Sequence, residues 1–431
     1  MAKPDIRDVI GTAPSLDAGN SRGASHIVLI NDFSVARGGA TTLALELAHR
    51  LLDARRAVTF FAGDDGNNPA LAEAGADIVA LNGARLLDSQ RTSALTGLYD
   101  ARVKRALSSY IERRDGADVV YHVHVWSQIF SPSIFAALRP VAARTVITAH
   151  DFFLACPNGT YTNYPQSKPC ALTPMSASCL LTQCDKRSYP HKLWRAARLA
   201  GLRAMLNLRA APFTIVAIQE GMVAMLERGG VPAERVVVVK NPADGFSAER
   251  VEAERNREVV FLGRLEREKG ADLLAAAARK AGMPLRVIGE GPDAETVKRA
   301  NPDAQFDGWL TKEEIGARLK SARLLAMPSR CTEPFGLAAA EALRVGVPVI
   351  ASRSSLIVGD LERLGAGLGV DVMNVDEFAA ALGALSADDA RVAAMSRAAF
   401  DHAGAIAQSF DEWTAAHLAL YDRLAGAARA G

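Results

Sequence analysis

Two glutamates separated by seven small or apolar residues occur in the stretch EPFGLAAAEALRVG, residues 333–346. Pro334 and Gly336 indicate a loop that turns into a helix at about Phe335, because proline is tolerated in the first turn of a helix. Glu333 would then lie in the loop at the helix entrance, and Glu341 on the helix itself. Neither carboxylate has an obvious partner nearby in the sequence, which leaves open what each one binds.

Glycines and cations follow other apolar runs at places where a phosphate could bind. Gly38 and Gly39 precede a helical segment, where backbone N–H groups and the helix dipole favour an anion. A plain tight turn explains such a pair equally well. Arg264 and Lys269 lie in GRLEREKG, directly after an apolar run, and could clamp a diphosphate. The alternative is a solvated loop in which neighbouring glutamates pair with both cations.

The segment VIGEGPDA, residues 287–294, fits the Gly-x-Gly-x-x-Ala pattern of dinucleotide sites through Gly289 and Gly291. That pattern belongs to the first βα unit of a Rossmann domain, whereas this segment lies deep in the second half of the chain. Pro292 also occupies the position where the helix should open. We therefore predict a backbone turn near a nucleotide base rather than an NAD site.

Two histidines in YHVHVWS lie on the same face of a predicted strand. They are His122 and His124, and Trp126 follows them. His124 could bind a sugar or accept the proton of an attacking hydroxyl, since the ordinary pKa of histidine suits that role. The alternative is a satisfied core histidine. His150 and Asp151 end another predicted strand and form a second candidate pair.

Positioning these side chains requires a scaffold that brings strand ends together. Val-, Ile- and Leu-rich runs such as HIVLI (26–30) and EVVFLG (258–263) alternate with helix-length segments, which is typical of parallel sheets covered on both faces. In such sheets, ligands bind beyond the carboxyl ends of the strands. A chain of 431 residues has room for two doubly wound α/β domains. We predict a disordered lead-in at 1–25, domains at 26–240 and 241–405, and an amphipathic helix at 406–431.

Composition argues against several classes of protein. The 50 basic and 48 acidic residues give a net charge of +2, which predicts no nucleic-acid partner. The N-terminus lacks the apolar run of a signal peptide, and no uninterrupted stretch of about 18 apolar residues predicts a membrane span. Five cysteines in such a chain favour a reducing, cytoplasmic compartment.

Taken in order, the motifs resemble those of the family-4 retaining glycosyltransferases. The resemblance implies the GT-B fold, in which two Rossmann-like domains face a cleft and a C-terminal helix crosses back to the first domain. It extends over about residues 26–425. The segments that carry it are GRLEREKG (263–270), GEGP (289–292), EPFGLAAAE (333–341), the Gly-Gly pair and the Trp413–Tyr421 helix.

The resemblance implies a role for each motif. Glu341 would accept hydrogen bonds from the ribose of a UDP- or GDP-sugar, and Glu333 would lie beside the transferred sugar. His124, Glu333, Arg264 and Lys269 would be the catalytic residues. Cations and helix N-termini would replace a metal cofactor, since the sequence has no Asp-x-Asp pair. The implied donor-binding residues are Gly38, Gly39, Gly263, Arg264, Lys269, Gly289, Gly291, Glu333, Phe335, Gly336, Leu337 and Glu341.

The function implied by this resemblance is transfer of a hexose, with retention, to a glycan or polyprenyl-linked acceptor. Bacterial exopolysaccharide or cell-envelope synthesis is the expected setting. One alternative is a GT-B glycoside phosphorylase, which would release a sugar phosphate. Another is a non-catalytic partner subunit that binds nucleotide sugars.

Two segments of the first domain carry further hypotheses. Residues 151–185 predict a long loop over the acceptor side of the cleft, whose thiols could hold a structural zinc ion or simply pack. Residues 186–209 carry seven Lys or Arg and no acid among apolar residues. This pattern favours either a helix on the anionic inner face of the cytoplasmic membrane or a helix docked on the sheet. The candidate zinc ligands are Cys156, Cys170, Cys179 and Cys184.

Overall fold

The computed structural model describes residues 23–86 and 93–430, so most of the predicted lead-in lies outside the described residues. The described chain forms two parallel sheets covered by helices, together with one short antiparallel hairpin. This is the predicted fold class. Within the described ranges, no helix combines the length and the apolar character needed to span a membrane.

The strands alternate with helices along almost the whole described chain. The strands are β1 (His26–Asn31), β2 (Ala57–Ala62), β3 (Asp77–Ala80), β4 (Val119–Val123), β5 (Thr145–Ala149), β6 (Thr162–Asn163), β7 (Lys168–Pro169), β8 (Thr214–Ala217), β9 (Val236–Val238), β10 (Glu258–Leu262), β11 (Leu285–Ile288), β12 (Gln305–Gly308), β13 (Ala322–Met327), β14 (Val349–Ser352) and β15 (Gly367–Val370). The helices are α1 (Gly39–Asp53), α2 (Pro69–Glu73), α3 (Ser93–Thr96), α4 (Ala101–Arg114), α5 (Ser133–Leu138), α6 (Ala177–Leu181), α7 (Tyr189–Leu206), α8 (Gly221–Arg228), α9 (Ala271–Ala281), α10 (Ala294–Ala300), α11 (Lys312–Leu319), α12 (Leu337–Arg344), α13 (Val358–Leu364), α14 (Val375–Ala387), α15 (Asp389–Ile406) and α16 (Phe410–Ala430).

Both sheets are doubly wound. The first has the strand order β3-β2-β1-β4-β5-β8-β9 and the second β12-β11-β10-β13-β14-β15, with parallel pairing throughout. The order reverses between β1 and β4 in one sheet and between β10 and β13 in the other. Doubly wound sheets bind ligands beyond the strand ends at such reversals. Every residue of β4 is buried, as expected for a strand with both faces covered.

Several elements differ from the sequence prediction. Strands β9, β12 and β15 were not predicted, because each is short and β12 (QFDG) has a single large apolar residue. The Val236–Val238 run, predicted as the connection between domains, pairs with β8 as the edge strand of the first sheet. Helix α12 begins at Leu337 rather than at Phe335, because Gly336 adopts a left-handed conformation with φ of 87°.

The final helix crosses back to the first domain, as predicted. Trp413, Leu420 and Tyr421 of α16 pack with apolar residues of β1 and β2 in one buried cluster. The Tyr421 hydroxyl also lies 2.6 Å from Nδ1 of His122 on β4, and both side chains are fully buried. Apolar contact and one buried hydrogen bond therefore hold the last element of the chain to the first sheet.

Tyr421→Phe should lower the stability of the protein by about 1–3 kcal/mol, because it leaves a buried imidazole nitrogen without its partner. The shift of the urea unfolding midpoint measures this change. Tyr189→Phe is the matched control, since the Tyr189 hydroxyl donates to the Leu180 carbonyl at an exposed site and should cost less than about 0.5 kcal/mol. Equal costs for the two variants would contradict the role of the buried hydrogen bond.

Candidate active site

The carboxyl edges of the two sheets face each other across a cleft of about 860 Å³. Most of the predicted site residues line this cleft, and they come from both domains. Those that line it are Gly38, Gly39, His124, Trp126, His150, Asp151, Gly263, Arg264, Lys269, Glu333, Phe335, Gly336 and Leu337. Those that do not line it are His122, Gly289, Gly291 and Glu341.

Two helices begin at the cleft, one from each domain. Helix α1 follows Gly38 and helix α12 follows Gly336, and neither N-cap residue makes a side-chain hydrogen bond. Neither helix has an acidic residue in its first turn. A Cβ atom at Gly39 would lie 2.6 Å from Cδ1 of Leu337, so the two helix starts meet closely and a larger residue at position 39 would displace the Leu337 side chain. The exposed N–H groups and both helix dipoles favour an anion here.

An ion pair lies between these helix starts and the second sheet. Lys269 Nζ is 2.8 Å from a carboxylate oxygen of Glu333, and Ser329 Oγ donates to the same oxygen at 3.1 Å. Burial acts to raise the pKa of Glu333, but Lys269 and Ser329 outweigh it and hold that pKa below its usual value. Glu333 is therefore a carboxylate at neutral pH, and its charge balances that of Lys269.

Two arginines add positive charge to the same cleft. Arg264 pairs with Glu266 at 2.8 Å, and its side chain is 64% exposed, which agrees with the solvated-loop alternative. Arg37 lies over the ring of Phe33 at 5.1 Å and also lines the cleft. The sequence prediction left out Arg37, although its position directly before the Gly-Gly pair was a usable signal.

Glu341 lies one turn into helix α12, outside the residues that line the cleft. Burial raises its pKa to about 7, with Lys312 acting in the opposite direction and Asp244 in the same one. Within the described residues, no hydrogen bond to this carboxylate is present. A partly buried carboxylate without donors can accept hydrogen bonds from a ligand.

The glycines at 289 and 291 hold two loops together. A Cβ atom at Gly289 would lie 2.0 Å from the Gly263 carbonyl oxygen, and one at Gly291 would lie 2.4 Å from that of Leu265. Close packing against the loop after β10 thus requires both glycines. The next helix, α10, begins only at Ala294. This arrangement agrees with the predicted backbone turn and gives no support to a dinucleotide fingerprint.

The predicted histidines form a buried cluster at the end of β4 and β5. His124 Nδ1 lies 3.1 Å from His150 Nε2, and His122 lies 2.7 Å from the Thr148 hydroxyl. Burial lowers the pKa of each of these histidines, to about 3 for His150. His417 of α16 stacks on His122 with ring centroids 5.5 Å apart, a member of the cluster that the sequence prediction missed because it is far away in the chain.

The other acceptor-side candidates also lie at the cleft. Trp126 packs on Phe135 with ring centroids 5.1 Å apart, and the Arg198 guanidinium lies 5.1 Å from its ring. Burial raises the pKa of Asp151 to about 6, although the Phe153 backbone N–H acts against it. At neutral pH this side chain is close to its titration point, and it faces the cleft beside His150.

The basic segment forms a helix docked on the first domain. Arg198 of α7 donates to the carbonyls of Gly97 and Phe130, and it is 7% exposed. Arg195 pairs with Asp185 at 2.8 Å, and Arg203 donates to the Gly229 carbonyl. These three arginines bind protein groups, so they are not arranged to face a membrane.

The four cysteines of the predicted loop are not assembled into a metal site. Cys156, Cys179 and Cys184 are buried, and Cys170 is half-buried. In the described parts of the chain, no group of three or more His, Cys, Asp or Glu side chains could hold a metal ion. The geometry therefore gives no support to the zinc hypothesis.

Two facing Rossmann-like domains closed by a C-terminal helix define the GT-B class of glycosyltransferases. Two family models match consecutive parts of the chain. The Glycosyltransferase Family 4 model matches residues 37–244, and the Glycosyl transferases group 1 model matches residues 244–402. The chain belongs to the family-4 glycosyltransferases of the GT-B fold.

Curated relatives match part of the chain. A GDP-mannose-dependent alpha-mannosyltransferase from Corynebacterium glutamicum is 31% identical over 170 residues, which are 39% of each chain. A GDP-mannose-dependent alpha-(1-6)-phosphatidylinositol monomannoside mannosyltransferase from Mycobacterium tuberculosis is 34% identical over 157 residues, 32% of this chain and 41% of that protein. The matches thus span about two-fifths of the length of these relatives.

Solved structures match almost the whole chain. Sucrose-phosphate synthase from Thermosynechococcus elongatus covers 94% of this chain and 100% of its own, with a TM-score of 0.69 and 19% identity. HepE from Anabaena in complex with UDP covers 92% of this chain and 97% of its own, with a TM-score of 0.61 and 16% identity. At these identities the likeness shows the fold alone.

Glu341→Gln should raise the melting temperature at pH 8 more than at pH 5. Because the pKa of Glu341 rises from 4.5 to about 7 on folding, the folded state retains a proton that the unfolded chain loses within this window. Stability therefore falls as pH rises through the window, and removing the charge should recover about 1–3 kcal/mol at pH 8 and under about 1 kcal/mol at pH 5.

The control is Glu333→Gln, which takes the carboxylate partner from half-buried Lys269 and should lower the melting temperature at both pH values. An equal shift for Glu341→Gln at pH 5 and pH 8 would contradict a buried, titrating Glu341.

Proposed function

We propose that this protein is a retaining glycosyltransferase that moves a hexose from a nucleotide diphosphate sugar to a glycan or polyprenyl-linked acceptor. The observation that carries the proposal is the meeting, in one cleft, of two helix N-termini without side-chain caps and the cations Arg37, Arg264 and Lys269. This is the chemistry that a diphosphate requires. Synthesis of an exopolysaccharide or of the cell envelope is the proposed setting.

The contacts suggest how the donor is held. Lys269 and Arg264 bind the diphosphate together with the N–H groups of Phe335, Gly336 and Leu337. Lys269 then interacts with both Glu333 and the phosphate. Because Glu333 is less tightly paired in that arrangement, its oxygens can accept hydrogen bonds from the transferred sugar. Glu341 accepts hydrogen bonds from the hydroxyl groups of the ribose.

Bond breaking places negative charge on the leaving diphosphate. The cations and the helix dipoles stabilise that charge, and we propose that they do so without a metal ion. His124 is neutral at physiological pH, because burial holds its pKa well below the usual value. Neutral His124 can therefore hydrogen-bond a sugar hydroxyl. Its lowered pKa makes it a weak base for the proton of the attacking acceptor, which the ordinary pKa of histidine had favoured. We assign no side-chain nucleophile.

The base of the donor nucleotide is either guanine or uracil. The names of the curated relatives specify GDP-mannose, whereas HepE was solved with UDP. We therefore propose a GDP- or UDP-hexose, with GDP-mannose as the first candidate. Two alternatives keep the same cleft, namely a glycoside phosphorylase and a non-catalytic nucleotide-sugar binder.

The function is tested with a panel of GDP- and UDP-hexoses as donors. Membrane lipid extract supplies the acceptor, and a chelator removes metal ions. Release of a nucleoside diphosphate is expected, and Lys269→Met or Arg264→Met should lower turnover by roughly 10²–10³-fold because the leaving group loses its partner. Arg279→Ala changes an exposed arginine outside the cleft and serves as the control.

Release of sugar phosphate with added inorganic phosphate would favour the phosphorylase. Nucleotide-sugar binding without release of any product would favour the partner subunit. Full turnover in both cation variants would refute the diphosphate clamp.

An exposed apolar surface near helix α7 suggests where a lipid-linked acceptor meets the protein. Leu95, Leu181 and Leu193 are 74%, 79% and 44% exposed, and Tyr99 and Tyr189 are also exposed. Helices α3, α6 and α7 are joined here, because Trp194 donates to the Ala94 carbonyl and Tyr189 to that of Leu180. We define these five exposed side chains as the apolar surface, and we propose that it contacts an anionic membrane with help from nearby exposed Arg187.

Changing Leu95, Leu181 and Leu193 together to Asp should reduce cosedimentation with phosphatidylglycerol vesicles by about tenfold, because the charges oppose burial in the interface. Met373→Asp is the control, since Met373 is an exposed apolar side chain of the second domain. Binding unchanged by the triple substitution would refute this membrane contact.

A further inference from the structure

A fully buried lysine lies between two cysteines of the first domain. Lys192 Nζ is 3.3 Å from Cys179 Sγ and 3.2 Å from Cys184 Sγ, and the lysine side chain is 0% exposed. In the described part of the chain, no carboxylate pairs with this ammonium group. A buried charge without a counter-charge is strongly unfavourable, so the two sulfurs are the groups that can balance it.

Lys192 donates hydrogen bonds to both sulfurs. Burial acts to lower the pKa of Lys192, yet the two sulfurs outweigh it and raise that pKa above its usual value. Burial raises the pKa of Cys184, with Lys192 acting in the opposite direction. A methionine in place of Lys192 would fill a similar space and would avoid the cost of removing an ammonium group from water. The ammonium therefore makes ionisation of Cys184 less unfavourable than burial alone would leave it.

We propose that Cys179 and Cys184 form a peroxide-sensitive dithiol, activated by Lys192, that closes to a disulfide. Because both sulfurs contact one nitrogen atom, they lie within about 6.5 Å of each other. Closure to an S–S bond of about 2 Å requires the segment that joins them to move and the Lys192 ammonium to give way. Leu181, between them in the sequence, is 79% exposed. Cys179 and Cys184 are each 5% exposed, so hydrogen peroxide would reach them through local opening of this segment.

The reaction balances with hydrogen peroxide as the oxidant. The thiolate attacks one peroxide oxygen, the O–O bond breaks, and the departing hydroxide takes a proton from Lys192 to leave as water. The second thiol then attacks the sulfur of the sulfenic acid, the S–S bond forms, and a second water leaves. Two thiols and one peroxide give one disulfide and two waters, and Lys192 is left neutral.

Closure of the disulfide would act on the cleft through neighbouring residues. Asp185 follows Cys184 and pairs with Arg195 of α7 at 2.8 Å. Lys186 pairs with Glu268 of the second domain at 3.0 Å, and Glu268 adjoins Lys269 in the sequence. Movement of this segment should weaken the contact between the domains and lower donor binding. This consequence rests on the proposed function, whereas the dithiol itself does not.

The test is oxidation of the full-length protein by one equivalent of hydrogen peroxide, followed by thiol counting and peptide mass spectrometry. Loss of two thiols, a Cys179–Cys184 cross-link and recovery with dithiothreitol are expected. Cys179→Ser and Cys184→Ser should each abolish the cross-link. Cys170→Ser and Cys331→Ser are the matched controls, and both should retain it.

Lys192→Met should slow oxidation of the pair roughly tenfold or more, because the thiols lose the cation that favours their ionised form. Comparing the oxidation rates of the Lys192→Met variant and the unchanged protein distinguishes activation by the lysine from mere proximity of the sulfurs. Circular dichroism checks that the variant is folded. An unchanged rate in folded Lys192→Met would overturn the activating role of the lysine.

Three results would each overturn the dithiol site. They are absence of the disulfide, a cross-link that involves Cys156 instead, and binding of one equivalent of zinc by the reduced thiols. Calorimetry with GDP and UDP before and after oxidation tests the coupling to the cleft. A disulfide that leaves nucleotide affinity unchanged would overturn the coupling. If the protein binds no nucleotide in either state, the proposed function fails while the cross-link still reports on the dithiol.

Discussion

Parallel pairing within both sheets is the constraint on which the cleft depends. Parallel strands must be joined by crossover connections, so each strand leads through a loop into a helix at the carboxyl edge of its sheet. The edges of the two sheets face each other, and the starts of α1 and α12 meet there through Gly39 and Leu337. The positive ends of two helices are thereby directed at one volume, and a mixed or antiparallel sheet would scatter them.

Charge balance within the cleft explains how it remains stable when no donor is bound. Lys269 and Glu333 neutralise each other, and Arg264 pairs with Glu266. Each pair lies where a phosphate could take over part of the interaction with the cation. Glu341 differs, because it is partly buried and no hydrogen-bond donor among the described residues reaches it. Its ionised form is therefore unfavourable at neutral pH, which is a cost in stability that binding of a ligand can offset.

The first-domain side of the cleft depends on a helix at the far end of the chain. His417 and Tyr421 of α16 pack against His122, which adjoins the His124–His150 pair. Burial lowers the pKa of every histidine in this group, to about 4 for His417. The cluster is thus neutral at physiological pH, which avoids repulsion between cations in an apolar site. Removing α16 would expose the face of β4 that positions His124.

The sequence by itself determined the fold class, because continuous Val, Ile and Leu runs with helical spacers have few other stable arrangements. It also indicated which loops line the cleft, since most of the glycines, cations and carboxylates that follow those runs do so. It could not determine the edge strands β9, β12 and β15, whose short sequences lack a periodic signal.

Only the tertiary structure decided which charges meet. Lys269 and Glu333 are 64 residues apart, and His122 and Tyr421 are 299 apart. Lys192 lies between Cys179 and Cys184 because α7 folds back onto the cysteine-rich segment. Local sequence specifies conformation over a few residues, whereas pairing over such distances is fixed by how the sheets and helices pack.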